Sequence, residues 1–345
     1  MADSASFATR LQQAWLARGP LAIALLPLSW LFGGLVGLRR ALYRAGIRRS
    51  ERIDVPVLVV GNLIAGGAGK TPTTLALLGL LQREGWAPGV VSRGHGRRAQ
   101  GVLDVGPDTP ASEAGDEPLL LRLRGNVPVC VGSDRVAAAR ALRAHHPQVD
   151  IVVCDDGLQH LRLGRDAQVL VFDERGAGNG WLQPAGPLRE PMPVGVPPCS
   201  VVLYNAARAS TALPGHLALR GLAGVVALED WWRGARPAPN SIDALRGRPL
   251  LAVAGLARPQ RFFAMLREQG LDIGEHPLPD HHDYTTLPWP PGTADVVLTE
   301  KDAVKIRPER AAAGRIWVAA LDFGFDAAFE RDLLALLPPR PAHRA

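Results

Sequence analysis

The stretch Gly61–Pro72, "GNLIAGGAGKTP", gathers the residue types that bind phosphate: closely spaced glycines, then a lysine and a threonine. The usual pattern of such a loop is G-x-x-x-x-G-K-[ST]. Counting back from Gly69-Lys70-Thr71, the first glycine falls at position 64, where this chain has Ile64. That glycine mainly eases a turn, and the part that faces phosphate is intact. The N–H groups of Gly66, Gly67, Ala68 and Gly69 can wrap a β-phosphate, because glycine lets the main chain approach closely. A helix opening near Thr71 points its positive end at the same anion. Lys70 then neutralises β/γ oxygens, and the Thr71 hydroxyl ligates Mg²⁺. The run Ile64, Ala65, Gly66, Gly67, Ala68, Gly69, Lys70 and Thr71 is therefore read as nucleotide-binding.

A second element carries the complementary chemistry. "IVVCDDGLQH" ends a hydrophobic run in Asp155-Asp156, where a carboxylate can hold magnesium directly or through water. Paired acids at a strand end are also ordinary turn residues; the loop upstream is what favours the metal role, with either acid as the direct ligand. Gln159 and His160 can face phosphate or cap a helix. "VSRGHGRR" sets Ser92 and Arg93 just after a strand, on the edge where α/β sheets bind ligands. "AGDEP" places Asp116 and Glu117 at a helix start, where N-capping is the default role. "PDHHDY" packs Asp280, His281, His282 and Asp283 together, and spacing leaves a metal site, an acid–base pair or a surface turn open. "TEKDAVKI" ends a further strand in Thr299-Glu300-Lys301-Asp302.

The elements that position these groups alternate. "VPVLVVGN", "APGVVSRG", "VDIVVCDDG", "AQVLVFDE" and "SVVLYNA" are short apolar runs of buried-strand type. "TPTTLALLGLLQREG" and "DRVAAARALRAHHP" have helical spacing between them. This alternation predicts a mostly parallel sheet covered on both faces. Residues 176–198, "GAGNGWLQPAGPLREPMPVGVPP", are too rich in glycine and proline for regular structure and too long for a casual connection, so a functional loop is expected. A second alternation begins near Pro249, with residues 231–240 as the expected hinge.

Composition narrows the class. Hydrophobic residues are 47% and charged ones 21% of 345, which suits a globular protein and excludes overall disorder. The net charge of +6 and an isoelectric point near 9.8 suit acidic partners such as nucleotide or anionic lipid. Nucleic acid is not expected, because the basic charge gathers beside an apolar segment and no stacking aromatics interleave it. Cys130, Cys154 and Cys199 lack C-x-x-C spacing and read as reduced thiols.

That apolar segment is "GPLAIALLPLSWLFGGLVGL", from Gly19 to Leu38, without a charge. Pro27 and Gly33-Gly34 weaken it as a spanning helix, and Asp3 ahead of it argues against a signal peptide. Arg39, Arg40, Arg44, Arg48, Arg49 and Arg52 follow directly, as on the cytoplasmic side of an anionic membrane. A membrane-embedded or interfacial helix is expected.

In order, these pieces resemble one family, the tetraacyldisaccharide 4′-kinases (lipid A 4′-kinases) of Gram-negative bacteria. The resemblance runs through "LPLSWLFG", "VPVLVVGNLIAGGAGKTP", "VVSRGHG", "AGDEP", "CDDGLQH", "GNGWLQPAGPLRE", "PDHHDY" and "TEKDAVK". It implies transfer of the γ-phosphate of ATP to the 4′-hydroxyl of a tetraacyldisaccharide 1-phosphate, giving lipid IVA, with Mg²⁺, on the cytoplasmic face of the inner membrane. It also implies a P-loop NTPase-like parallel-sheet domain plus a smaller α/β domain, joined by a short β linker and preceded by a membrane-associated helix. The corresponding segments are 1–52, 53–228 and 229–345, in a chain expected to act as a monomer. The family also lacks the first loop glycine. Its catalytic groups match Lys70, Asp116 and His281, the histidine chosen over His282 because it directly follows an aspartate. Its metal ligands match Thr71, Asp155 and Asp156. Ser92, Arg93, Gln159, His160 and Arg189 are candidate contacts to substrate or phosphate. His95 departs from a usual tyrosine and Gln183 from a usual leucine. The alternative is a membrane-associated partitioning ATPase of the ParA/MinD type, but Ala65 stands where that class carries its signature lysine.

Overall fold

Residues 7–98, 100–310 and 315–340 are described by the computed structural model; Asp3 and the outermost ends of the expected terminal segments lie outside them. The chain opens with α1 (Phe7–Ala14), α2 (Pro20–Ala24) and α3 (Leu26–Arg44). It continues through β1 (Val57–Gly61), α4 (Lys70–Arg83), β2 (Pro88–Ser92), β3 (Leu103–Asp104), α5 (Ala111–Ala114) and α6 (Asp116–Gly125). Next come β4 (Val129–Val131), α7 (Arg135–His145), β5 (Ile151–Asp155), β6 (Ala167–Asp173), β7 (Ser200–Asn205) and β8 (His216–Leu217). These strands form one sheet of order β3-β4-β2-β5-β1-β6-β7-β8, parallel except between β3 and β4. β1, β2 and β5 are buried along their whole length, as β-branched runs covered on both faces must be. Val60 pairs with Asp155, so the strand that launches the glycine loop and the strand that ends in two acids finish side by side.

The second sheet is built from β9 (Leu219–Ala227), β10 (Leu250–Ala254), β11 (Ile273–Pro277), β12 (Asp295–Thr299) and β13 (Arg315–Gly324), in the order β11-β10-β12-β13-β9. α8 (Leu228–Trp232), α9 (Pro259–Glu268) and α10 (Glu300–Ala303) belong to this unit. α11 (Ala327–Leu334) returns to the first, where Glu330 pairs with Arg83 at 2.6 Å and Asp332 with His216 at 3.1 Å.

Two expectations about organisation need correction. The boundary at residue 228 leaves β9 with the P-loop unit, yet β9 pairs antiparallel with β13 in the second sheet, and α11 lies with the first unit. Strand periodicity does not show which sheet a strand joins. Residues 231–240 are not the crossing either. Trp231 is buried and donates through Nε1 to Glu300 at 3.0 Å, while Trp232 Nε1 donates to the Ile306 carbonyl at 2.8 Å. The chain passes between units along the β9–β13 ribbon, whose register shifts at Ala320/Leu321.

The Gly- and Pro-rich run is a socket for the N-terminal helices. Trp15 Nε1 donates to the Pro184 carbonyl at 2.9 Å. Ser29 Oγ donates to Leu182 O at 2.9 Å and accepts from Ala185 N at 2.8 Å. The buried Asn179 amide donates to Ala14 O, Ala17 O and Ala185 O. Irregular backbone is what leaves so many carbonyls open to side-chain donors. Among the described residues no helix is long and apolar enough to cross a bilayer. The apolar stretch breaks at Leu25, the cap shared by α2 and α3, and Arg39 and Arg40 fall within α3.

Candidate active site

The glycine loop joins β1 to α4 with its carbonyls tied back by side chains. Asn62 Nδ2 donates to Gly66 O at 3.1 Å and Asn205 Nδ2 to Ala68 O at 3.2 Å. Arg175, anchored on the buried Asp173, donates to Ala65 O at 3.2 Å and Gly67 O at 2.9 Å. The N–H groups from Gly66 to Gly69 have no acceptor among the described residues, which is the arrangement an anion needs. Gly69 is obligatory: its φ is +86°, and a Cβ there would meet Asn205 Nδ2 at 1.9 Å.

The first two residues of the loop have other duties than the nucleotide-binding one expected of them. The Ala65 amide donates to Pro187 O at 2.8 Å, so it is not free for phosphate. Ile64 is fully buried among Leu158, Phe172, Leu188 and Tyr204, and bridges to Leu188. Restoring the consensus by Ile64→Gly is therefore expected to destabilise the fold by about 3–5 kcal/mol without improving ATP affinity. Urea denaturation and nucleotide titration check this; unchanged stability contradicts it.

Lys70, the first residue of α4, is buried with Nζ 3.1 Å from Asn62 Oδ1 and 3.6 Å from Asp156 Oδ1. Asp156 sits at φ +49° and also receives Arg189 at 3.0 Å. Burial raises its pKa, but Lys70 and Arg189 outweigh burial and hold it below the usual carboxylate range. Asp155 behaves oppositely. Burial first, then the charges of Glu117 and Asp156, push it up to about 7 against Lys70 and Thr74. Its Oδ1 accepts from Thr74 Oγ1 at 3.0 Å, and its Oδ2 is buried without a hydrogen-bond partner. Among the described residues no group of three or more His, Cys, Asp or Glu gathers as a metal site. An ion held chiefly by phosphate oxygens and water needs only one or two carboxylates, and the orphaned Asp155 oxygen fits that need.

The two units meet at Asp116. Gly115, at φ +93° and ψ 151°, turns the chain into α6, in a conformation that only glycine adopts readily. Asp116 is then the first helical residue rather than the N-cap, so its side chain is released from the default capping role. His281 Nδ1 lies 3.1 Å from Asp116 Oδ2, and His281 itself holds φ +60°. Lys301 Nζ is 3.4 Å from His281 Nε2. An ionised carboxylate only accepts, so Nδ1 carries the proton that Asp116 receives as a hydrogen bond. His282 turns away to pack on Tyr284, with ring centroids 4.8 Å apart. Burial raises the Asp116 carboxyl, and His281, Lys305 and Lys301 together bring it below the usual range. A cleft of about 1090 Å³ lies between the units, lined by Gly67, Lys70 and Thr71 on one side and Arg258, Arg261 and Lys301 on the other.

A family profile described as tetraacyldisaccharide-1-P 4′-kinase matches residues 21–338. The chain belongs to that family. Proteins named tetraacyldisaccharide 4′-kinase from Leptothrix cholodnii and Methylibium petroleiphilum are each 57% identical to it. The first aligns over 96% of this chain and 97% of its own length, the second over 96% and 94%. A crystal structure of an "apo" form of LpxK from Aquifex aeolicus in complex with ATP matches with a TM-score of 0.75 at 25% identity, covering 92% of this chain and 100% of that one. Membership of the tetraacyldisaccharide 4′-kinases sets aside the partitioning-ATPase alternative.

Of the residues expected to touch substrate or phosphate in this family member, Gln159 and Arg189 reach the loop's edge. Gln159 Nε2 donates to Asn62 O at 3.2 Å, and its Oε1 accepts from Arg189 at 3.2 Å. The Gln159 carbonyl in turn receives Arg39 from α3 at 2.9 Å, linking the basic run to the kinase site. Ser92 is buried at the end of β2, with Arg93 exposed just beyond it. His160 is half-buried, its Nε2 has no hydrogen-bond partner among the described residues, and burial, then Arg135, push its pKa down to about 4. His95 stands edge-on to His281 with ring centroids 5.6 Å apart. Asn62, Arg175 and Asn205 are not singled out by the phosphate-loop pattern; Asn62 lies in the loop segment itself, whereas Arg175 and Asn205 are joined to it only by the fold.

Proposed function

We propose that this chain transfers the γ-phosphate of ATP directly to the 4′-hydroxyl of a tetraacyldisaccharide 1-phosphate. The observation that carries the mechanism is the 3.1 Å contact between Asp116 and His281, which belong to different units flanking one cleft. The loop amides and Lys70 bind the phosphates and leave the γ-phosphorus facing the acceptor. As the sugar oxygen bonds to phosphorus, its proton passes to Asp116 and the bond to the ADP oxygen breaks. His281, donating from Nδ1, orients that carboxylate. Thr71, Asp155 and Asp156 would hold magnesium, which when bound offsets the charge of the phosphate oxygens. One chain supplies every group, so a monomer suffices. Purified protein with ATP, Mg²⁺ and detergent-dispersed disaccharide 1-phosphate should yield a lipid one phosphate heavier by mass spectrometry. ADP formation that is indifferent to the lipid contradicts the proposal.

We further propose that α2 and α3 lie in the cytoplasmic face of the inner membrane. Leu28, Leu31, Leu35 and Leu38 form one stripe of α3, each more than half exposed, and Trp30 is 70% exposed. Arg44, Arg48 and Arg49 stand exposed beyond them for anionic headgroups. Acyl chains then stay in the bilayer while the sugar reaches the cleft. Trp30→Glu combined with Leu35→Glu should weaken sedimentation with anionic vesicles by about tenfold or more. Unchanged sedimentation contradicts this placement.

A further inference from the structure

Lys305 follows α10 into the interior, its side chain only 4% exposed. Its ammonium lies 3.5 Å from Asp116 Oδ2, 3.3 Å from Asp302 Oδ1 and 5.1 Å from the centre of the Tyr284 ring. Nζ makes no hydrogen bond among the described residues. A buried cation held this loosely is a poor device for stability, since removing an ion from water costs several kcal/mol and apolar packing serves the fold as well. Asp302 is shaped to hold it in place. Fully buried, it accepts from Thr299 Oγ1 at 2.7 Å and Gly255 N at 3.1 Å through Oδ2, and turns Oδ1 to the lysine. The remaining side of the ammonium faces Asp116. Both Lys305 and His281 meet Asp116 at Oδ2, which leaves Oδ1 to take a proton.

We propose that Lys305 is a positioning residue for phosphoryl transfer, keeping Asp116 ionised and turned so that Oδ1 is the proton acceptor. The inference rests on the reading of Asp116 as the base. The groups facing Asp116 are Lys305, Lys301 and His281, all from the second unit, with the Tyr284 phenol near them and Glu117 following Asp116 on α6. Opposing burial falls to the cations among them. The cations that keep Asp116 ionised against burial thus all come from the second unit, and Lys305 is the most deeply buried of them.

The test is a set of pH–rate profiles for the full chain, Lys305→Met, Lys305→Arg and Asp116→Asn, with ATP affinity and thermal melting measured on each. Removing the cation raises the Asp116 pKa, and a base works only when ionised. Lys305→Met should therefore move the acidic limb of its profile up by about one pH unit, and, by freeing the carboxylate to turn, lower kcat about thirtyfold. Lys305→Arg should keep the limb near its original pH, and ATP affinity should change less than about threefold in either. An unmoved acidic limb in Lys305→Met, or loss of the folded state in both lysine variants, assigns Lys305 to the fold and overturns the proposal. Near-normal kcat in Asp116→Asn instead removes the base itself, so the two failures are distinguishable.

Discussion

Asp116→Asn is expected to lower kcat by about a thousandfold, while ATP affinity changes less than about threefold. The variant keeps size and shape but cannot accept the proton of a sugar hydroxyl, whose own pKa is far too high for it to ionise unaided. Asp116 lies on α6, and none of the loop groups proposed to hold phosphate contacts it. The loss should therefore appear in turnover and not in nucleotide binding. Single-turnover rates together with equilibrium ATP titration separate the two. A large fall in affinity with a modest fall in rate would reassign Asp116 to the nucleotide.

Lys70→Ala should act on both quantities, with kcat/KM for ATP falling by at least about a hundredfold. Lys70 stands at the mouth of the loop, 3.1 Å from Asn62 and 3.6 Å from Asp156, and faces the place where phosphate charge collects. Its removal leaves Asp155 and Asp156 with less opposing charge, so the site repels the triphosphate it now attracts. Arg189 still pairs with Asp156 at 3.0 Å, and the core around Ile64 is untouched, so the variant should remain folded. Steady-state kinetics and a melting curve check this. Near-normal kinetics in a folded variant would remove the phosphate-loop assignment.

The groups easiest to read in the sequence were those whose chemistry is local. Gly66 to Thr71 declare a phosphate loop by spacing along one strand–helix junction, and Asp155-Asp156 declare themselves at the end of an apolar run. The Asp116–His281 pair spans a gap in the chain that no spacing bridges. "PDHHDY" alone left three roles open, and only the resemblance to the kinase family selected His281. Ile64 shows the opposite limit. A missing glycine looks like a defect until Leu188 and Phe172 are seen packed on its side chain. The same holds for residues 176–198, whose irregular backbone makes sense only once Trp15 and Ser29 donate into it. The boundary at residue 228 falls on the wrong side of β9, because nothing in the local sequence marks its pairing with the distant β13.

The central claim is direct, in-line passage of the phosphoryl group from ATP to the sugar hydroxyl, with Asp116 acting on a proton and never on phosphorus. The stereochemical course at the γ-phosphorus tests it, using ATP made chiral there by oxygen isotopes and the disaccharide 1-phosphate as acceptor. A single in-line displacement predicts inversion of configuration in the phosphorylated lipid. Retention would mean two displacements through a phosphorylated side chain, and would contradict the role given to Asp116.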